Sequence, residues 1–439
     1  MRGGVCLLLA LAVTSVGGCA RHESGVIQVT LQRFFGACET QYGNSADVAA
    51  AEGECGIVTA IVNRFNAENP DVHVNTNVVY WPGYDQLSAA LAAGEPPDLV
   101  SMHQSVISDY SQRHLIVPLD DGLRAVGITA DLFTAAARAG VMRDGHIFAL
   151  PFDTWAPLWH LNLNLFRKAG MLRSGVPLLP RDPDELLQQA RRFTRATGKP
   201  YLIQSMVNDP SVYARNLFTF LMQQNSEFFP DPHHIRLRTP EAHRVLDLFK
   251  RIYDEDLTTK NQDYTAATAA FLNGQGGVYL VGTWMIGDYE QASKESDSPL
   301  FGGYEVVPFP QLYPGRDVTY ADGHSWAVTD AKRSPEKTHA IYRVLQFLKE
   351  NDFQWSRTGH LPAYQAVVDS AQWQALPHRK DLAKLDHIAA PLPTGVQRQF
   401  LIQQIISQEM QSAITGQKSI DVALGDAERR VNDLLFNLL

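Results

Sequence analysis

The chain has 439 residues, with 38 Lys and Arg against 47 Asp and Glu, a formal charge of −9, and an ordinary globular share of apolar residues. That sign of charge excludes a typical nucleic-acid binder, and beyond the N-terminus no apolar run approaches the roughly 20 residues of a membrane helix. The length suffices for two domains with separate cores.

The opening "MRGGVCLLLALAVTSVGGC" has one positive charge at Arg2, a short apolar stretch from Val5 to Val13, then small residues and a cysteine. This is the layout of a secretory signal, too short to be a stable span. Its ending "VGGC" resembles the lipobox of bacterial lipoproteins. That resemblance implies removal of residues 1–18, a lipid on Cys19 and a tether over 19–25. Cys6 then leaves with the signal, so Cys38 and Cys55 remain. In an oxidising compartment such a pair is most simply a disulfide, and its spacing is far too long for C-x-x-C redox chemistry or one zinc knuckle. Closing a loop of this size contributes about 3 kcal/mol through the unfolded state.

"VIQVTLQRFF" reads as a strand. Val58, Ile61, Val62 and Phe65 then fall at i, i+3, i+4, i+7, one helix face ending at Asn69-Pro70. Val72, Val74, Thr76 and Val78 alternate onto one side of a half-buried strand. Tyr84, Leu87 and Leu91 mark a helix stopped by Gly94, and "DLVSM" is the next strand. This alternation predicts a βαβ architecture with a parallel sheet, in which ligands bind outside the carboxyl ends of the strands. The loops to watch are therefore 36–56, 80–86 and 102–105. The middle of the chain, about 155 to 300, is richer in helix patterns. At the C-terminus Ile402, Ile406, Met410 and Ala413 form one stripe, and Leu424, Ala427, Val431 and Leu434 another. No repeat, low-complexity tract or flexible linker is present.

Several stretches in order, "NRFNAENPDVHVN", "PPDLVSMHQSVISDYSQRHLIVPLD", "GHIFALPFDTWAPLWHLNLNLFRKAGM", "AAFLNGQGGVYLVGTW" and "TGHLPAY", together resemble the extracellular solute-binding proteins of ABC importers, in the sugar-type family. The resemblance runs from about 26 to 435. It implies an α/β fold of two lobes, 26–151 with 322–361 and 152–321 with 362–439, joined by three crossings that act as a hinge. The crossings are expected near Leu150–Asp153, Thr319–Gly323 and Gly359–Pro362. It also implies a carbohydrate ligand and a lipid-anchored, extracytoplasmic monomer without a cofactor. Its partners would be permease subunits and a separate ATPase, since the chain has no P-loop.

Sugars offer hydroxyls to carboxylates, amides and imidazoles, and C–H faces to aromatic rings. Trp81 and Tyr84 follow the second strand, and His103 and Gln104 follow the third. Asp153, Thr154 and Trp155 sit on the first crossing, and Thr283 with Trp284 ends the "VYLVGTW" strand. In the family the aromatic at that last place stacks on a sugar, so Trp284 is the leading ligand contact, whereas Trp159 is read as core. Gly323 and His324 occupy the second crossing, His324 standing where the family often has tryptophan, with Trp326 deeper in the lobe. Glu39, Gln41 and Tyr42 complete the set, because the family's first loop often carries a polar contact.

Rival chemistries are weaker. "GHSWA" resembles a G-x-S-x-G nucleophile elbow, but a strand follows Ser325 where a helix is needed. Glu39 and Asp153 could be cast as the acid–base pair of a glycoside hydrolase, yet nothing singles out a matched pair. The 14 histidines, His233 and His234 among them, show no metal-ligand spacing.

Overall fold

The computed structural model describes residues 25–437 apart from 210 and 383, so the signal segment, Cys19 and residues 20–24 lie outside the described residues. Chain order begins with β1 (Ile27–Arg33), the short α1 (Glu39–Tyr42), α2 (Gly53–Glu68), β2 (Val72–Val78), α3 (Tyr84–Ala93) and β3 (Leu99–His103). The predicted stripe of α2 is the buried one: Val58, Ile61, Val62 and Phe65 pack against Val29 and Leu31 of β1 and the rest of the first core. α3 stops where Gly94 takes a left-handed φ of +75°, a conformation that costs glycine little. In β2 only Val72 and Val74 are buried. Thr76 is exposed, because β2 is the sheet edge and its distal half runs beyond the helical cover.

There follow β4 (Leu150–Pro151), β5 (Asp153–Thr154), β6 (Pro157–Asn162), β7 (Leu202–Ile203), α4 (Val212–Gln223), α5 (Tyr264–Leu272), β8 (Val278–Gly282), β9 (Tyr304–Pro308), β10 (His324–Val328), β11 (Leu361–Pro362), α6 (Gln399–Ile414) and α7 (Ile420–Phe436). The first sheet has the order β2-β1-β3-β10-β4. Its first three strands are parallel, as expected, but β10 runs antiparallel to both β3 and β4. The parallel-sheet expectation is corrected here: β10 arrives from the other lobe, not through a βα crossover, and so enters from the opposite end.

The second sheet, β7-β8-β6-β9, is mixed and buried on both faces. Trp159 and Leu161 of β6 face one apolar cluster, while Leu158 faces another. Both C-terminal helices pack on the Trp159 side, through Ile402, Ile406, Met410 and Ala413 of α6 and Leu424, Ala427 and Val431 of α7. The last fully buried leucine of α7 is Leu435; Leu434 is only partly covered.

Between the lobes the crossings bond to one another. β5 pairs with β11, and Trp155 and Asp322 exchange backbone N–H···O bonds of 2.8 and 3.1 Å. Ala363 and Tyr364 still pack in the first core, so the chain stays with the first lobe a little beyond Pro362. No helix among the described residues is long and apolar enough to cross a membrane.

Candidate functional site

The lobes face each other across a cavity of about 860 Å³. From the first lobe Phe34, Trp81, His103 and His324 line it, at or just beyond strand ends, as the fold class requires. From the second lobe come Trp155, Arg215, Asn216, Tyr264 and Trp284, with Gln404, Ser407, Gln408 and Gln411 along one face of α6.

The aromatic wall is interlocked. Trp155 and Trp284 meet edge to face at 5.4 Å, and Trp284 Nε1–H donates to the Tyr264 hydroxyl at 2.9 Å. His103 stacks on Phe34 at 5.1 Å. Its backbone N–H donates to the Tyr84 hydroxyl at 2.9 Å, and that hydroxyl shares a second hydrogen bond with His103 Nδ1 at 2.8 Å. Burial, with His324 and Arg215 nearby, keeps the His103 imidazole well below its usual range and therefore neutral.

Behind this wall the crossings share a buried polar cluster. Asp153 Oδ1 accepts from the His324 backbone N–H at 2.9 Å. Oδ2 accepts from His324 Nδ1 at 2.8 Å and from Trp355 Nε1 at 2.7 Å. Burial works against this carboxylate's charge, yet the imidazolium and its hydrogen bonds hold its pKa down at about 2. Burial likewise opposes charging His324, and the Asp153 charge overcomes it, raising that imidazole above its ordinary value. His360, on the third crossing, donates from Nδ1 to Thr358 Oγ1 at 2.7 Å, because that hydroxyl is itself spent on the Trp355 carbonyl. Its Nε2 has no partner and sits 3.7 Å from Asp153 Oδ2 and 3.6 Å from Glu54 Oε1. Burial pushes Glu54 up to about 8, so it is protonated at neutral pH.

One ligand atom each from Asp153, His324 and His360 lies within 4.8 Å of the others, a spacing open to a metal ion. The hydrogen bonds just described already fill Asp153 and the facing nitrogen of His324, however. No sequence spacing announced the cluster, since each member comes from a different crossing.

Of the residues expected at the ligand, Trp81, His103, Trp155, Trp284 and His324 line the cavity. Tyr84, Gln104, Asp153, Thr154, Thr283 and Gly323 do not, and stand one layer back. Tyr84 orients His103; Gln104 Nε2 donates to the Asp153 carbonyl at 3.0 Å. Gly323 lets the crossings touch, since a Cβ there would lie 2.4 Å from the Asp153 carbonyl oxygen. Glu39, Gln41 and Tyr42 also fall outside. The Cys38–Cys55 disulfide, with Cα atoms 6.0 Å apart, folds that segment back on α2, where Tyr42 lies against Gly56. Gly36 and Glu54, close neighbours of the cysteines, reach the cavity in their place. The acid–base pair considered for a hydrolase is therefore split, with Glu39 exposed on the loop and the Asp153 carboxylate fully hydrogen-bonded. Ser325 is buried and its hydroxyl donates to the Met102 carbonyl.

Arg215 is the main residue missed. Its guanidinium carbon lies 4.5 Å from the Trp155 ring centre and 5.8 Å from that of Trp81. The available signal was the lone charged residue of "VYARNLFTFLMQ", an arginine in the first turn of a helix without another charge.

Two α/β lobes joined by three crossings, with one cavity walled by both, define a periplasmic-binding-protein-like receptor. The model of the bacterial extracellular solute-binding protein family matches residues 60–381, and the chain belongs to that family. The sn-glycerol-3-phosphate-binding periplasmic protein UgpB of Escherichia coli K12 is 24% identical over 407 residues, spanning 88% of this chain and 90% of that one. Among solved structures, maltose-bound MalE3 of T. maritima superposes with a TM-score of 0.77 at 19% identity, covering 93% of this chain and all of that one. The GacH receptor of Streptomyces glaucescens gives 0.76 at 17% identity, covering 93% and 98%.

Proposed function

We propose that this protein is the extracytoplasmic, lipid-anchored receptor of an ABC importer, capturing a carbohydrate between its lobes and presenting it to a membrane permease with a separate ATPase. The observation that carries the reading is the cavity itself, where indole rings from both lobes alternate with amides, hydroxyls and imidazoles. Flat apolar faces beside planar polar groups are what a polyhydroxylated ring needs. Relatives support the ligand class: UgpB is named for sn-glycerol-3-phosphate, and similar folds hold maltose and, in Thermotoga lettingae, α-D-tagatose. The receptor acts without chemistry. A solute that touches both walls only when they are close favours the closed form, and the permease reads that population.

The test is a thermal-shift screen of the purified chain across sugars, polyols and glycerophosphodiesters, followed by calorimetry on hits. A tight ligand raises the melting temperature by mass action. Steady hydrolysis of an oligosaccharide that tracks the protein, or no stabilisation by any member, would remove the reading.

A further inference from the structure

The geometry points to a solute that carries an oxyanion, a phosphate or a carboxylate, seated on Arg215; this deepens the receptor reading and rests on it. Arg215 is only 8% exposed, in the first turn of α4 at the cavity wall. Nε donates to Gln403 Oε1 at 3.1 Å, which fixes the plane of the group. The guanidinium then lies between the Trp155 and Trp81 rings, one from a crossing and one from the opposite lobe. Neither terminal nitrogen donates to any described acceptor, and Nη2 is fully buried. No carboxylate forms a salt bridge with Arg215 among the described residues, although the buried Asp322 acts on it through space, and a guanidinium taken out of water without a direct partner is costly to fold around.

The acids nearby do not touch the guanidinium, though Asp209 and Asp263 also line the cavity and each binds backbone N–H groups through one carboxylate oxygen. Asp322 accepts from the Ser105 N–H and hydroxyl and from the Gly323 N–H. Asp209 Oδ1 accepts from the Ser211 and Val212 N–H groups, and Asp263 caps α5 through the Ala266 N–H. Glu54, raised to about 8, is neutral at physiological pH. Two further donors of the same wall lack acceptors, Asn216 Nδ2 and Trp155 Nε1. Four nitrogens of this wall without acceptors, the two terminal ones of Arg215 with Asn216 Nδ2 and Trp155 Nε1, call for acceptor oxygens, and the fork of arginine matches phosphate and carboxylate in two-pronged fashion.

The experiment offers the full chain mono- and disaccharides in matched sets, each neutral, phosphorylated and oxidised to the uronate, with glycerol and glycerol phosphate alongside. Calorimetry should find at least one charged member binding about tenfold tighter than its neutral parent, with the preference weakening as salt rises. Whether the phosphorylated or the uronate arm shows it identifies the anion. Arg215→Gln should erase the preference and leave the circular dichroism spectrum unchanged, while Arg215→Lys keeps part of it. Neutral members binding as tightly as charged ones, or a preference that survives Arg215→Gln, would overturn this inference and leave the sugar receptor standing. Failure of every member, neutral and charged, would instead remove the receptor reading and this inference with it.

Discussion

Asp153 and His324 hold each other twice, once through the backbone N–H of His324 at 2.9 Å and once through its Nδ1 at 2.8 Å. The two residues belong to different crossings, so this pair ties one strand of the hinge to the next. Breaking one side of a buried pair leaves an uncompensated charge, which costs about 3–5 kcal/mol. Asp153→Asn and His324→Asn should each destabilise by that order in urea unfolding. The double variant should fall well short of their sum. Additive losses would show that the pair is not coupled.

The pH dependence follows from the groups that face Glu54. His324 carries charge beside it, Asp153 and Asp288 push its pKa the same way as burial, and His360, lowered to about 3, is neutral. Glu54 and His324 both bind their protons more tightly in the folded chain than unfolded. Their contribution is therefore full at low pH, and it declines above about 4.5 for the carboxyl and above about 6.5 for the imidazole. Asp153 has the opposite sign, and its contribution is lost only as pH falls towards about 2. The melting temperature should drop between about pH 4.5 and 8, more steeply above about 6.5 where the loss from His324 adds, and Glu54→Gln should flatten that limb. A wild-type profile that is level there would refute the assignment.

Trp284 is placed by steric contact as much as by bonding. A Cβ on Gly282 would lie 1.9 Å from its ring, so Gly282→Ala must push the indole out of its place against Trp155. Trp284→Ala should weaken solute binding by at least about tenfold, and Gly282→Ala by a smaller factor, with melting temperatures near wild type. Unchanged affinity in Trp284→Ala would take that ring out of the site.

Gly323→Ala tests how closely the crossings must approach. The added methyl would sit 2.4 Å from the Asp153 carbonyl oxygen and 2.6 Å from the Gln104 amide. Overpacking of this kind costs about 1–3 kcal/mol. Because the crowding falls on the hinge, solute affinity should fall along with stability, as calorimetry and melting on one sample would show.

The disulfide stands behind a lip of the cavity, which Gly36 and Glu54 line and the two cysteines do not. Arg357 holds the same loop from behind, donating to the carbonyls of Val48, Ala49 and Ala51. Cys38→Ser with Cys55→Ser should cost up to about 3 kcal/mol and weaken binding several-fold, because Gly36 and Glu54 lose their anchor. Adding Arg357→Ala should deepen the loss. Affinity untouched by the double serine would make the bridge a local staple.

Much of the frame was legible in the residue pattern. Period-two and period-3.6 runs marked β1, α2, α3 and α6, because each buries one face against a sheet or core. Strand ends pointed to Trp81, His103 and Trp284 for the same geometric reason. What misled was side-chain direction. Asp153 and Thr154 stand on the right crossing, but their side chains turn away from the cavity, and one-letter spacing does not record that turn. Arg215 was hidden in a largely apolar helix as its single charge. Gln404, Ser407, Gln408 and Gln411 carried a usable signal, polar residues at i, i+3, i+4, i+7 opposite the Ile402 stripe, and a reading of both faces of α6 would have found them.

The seven tryptophans divide by place: Trp81, Trp155 and Trp284 wall the cavity, while Trp159, Trp326, Trp355 and Trp373 are packed in the cores. The receptor thus carries its own optical reporter. Solute entering beside Arg215 changes the surroundings of the three indoles at the cavity and leaves the other four in theirs. Intrinsic emission should therefore shift on binding without any attached dye, and Trp→Phe changes at 81, 155 and 284 would assign the signal ring by ring.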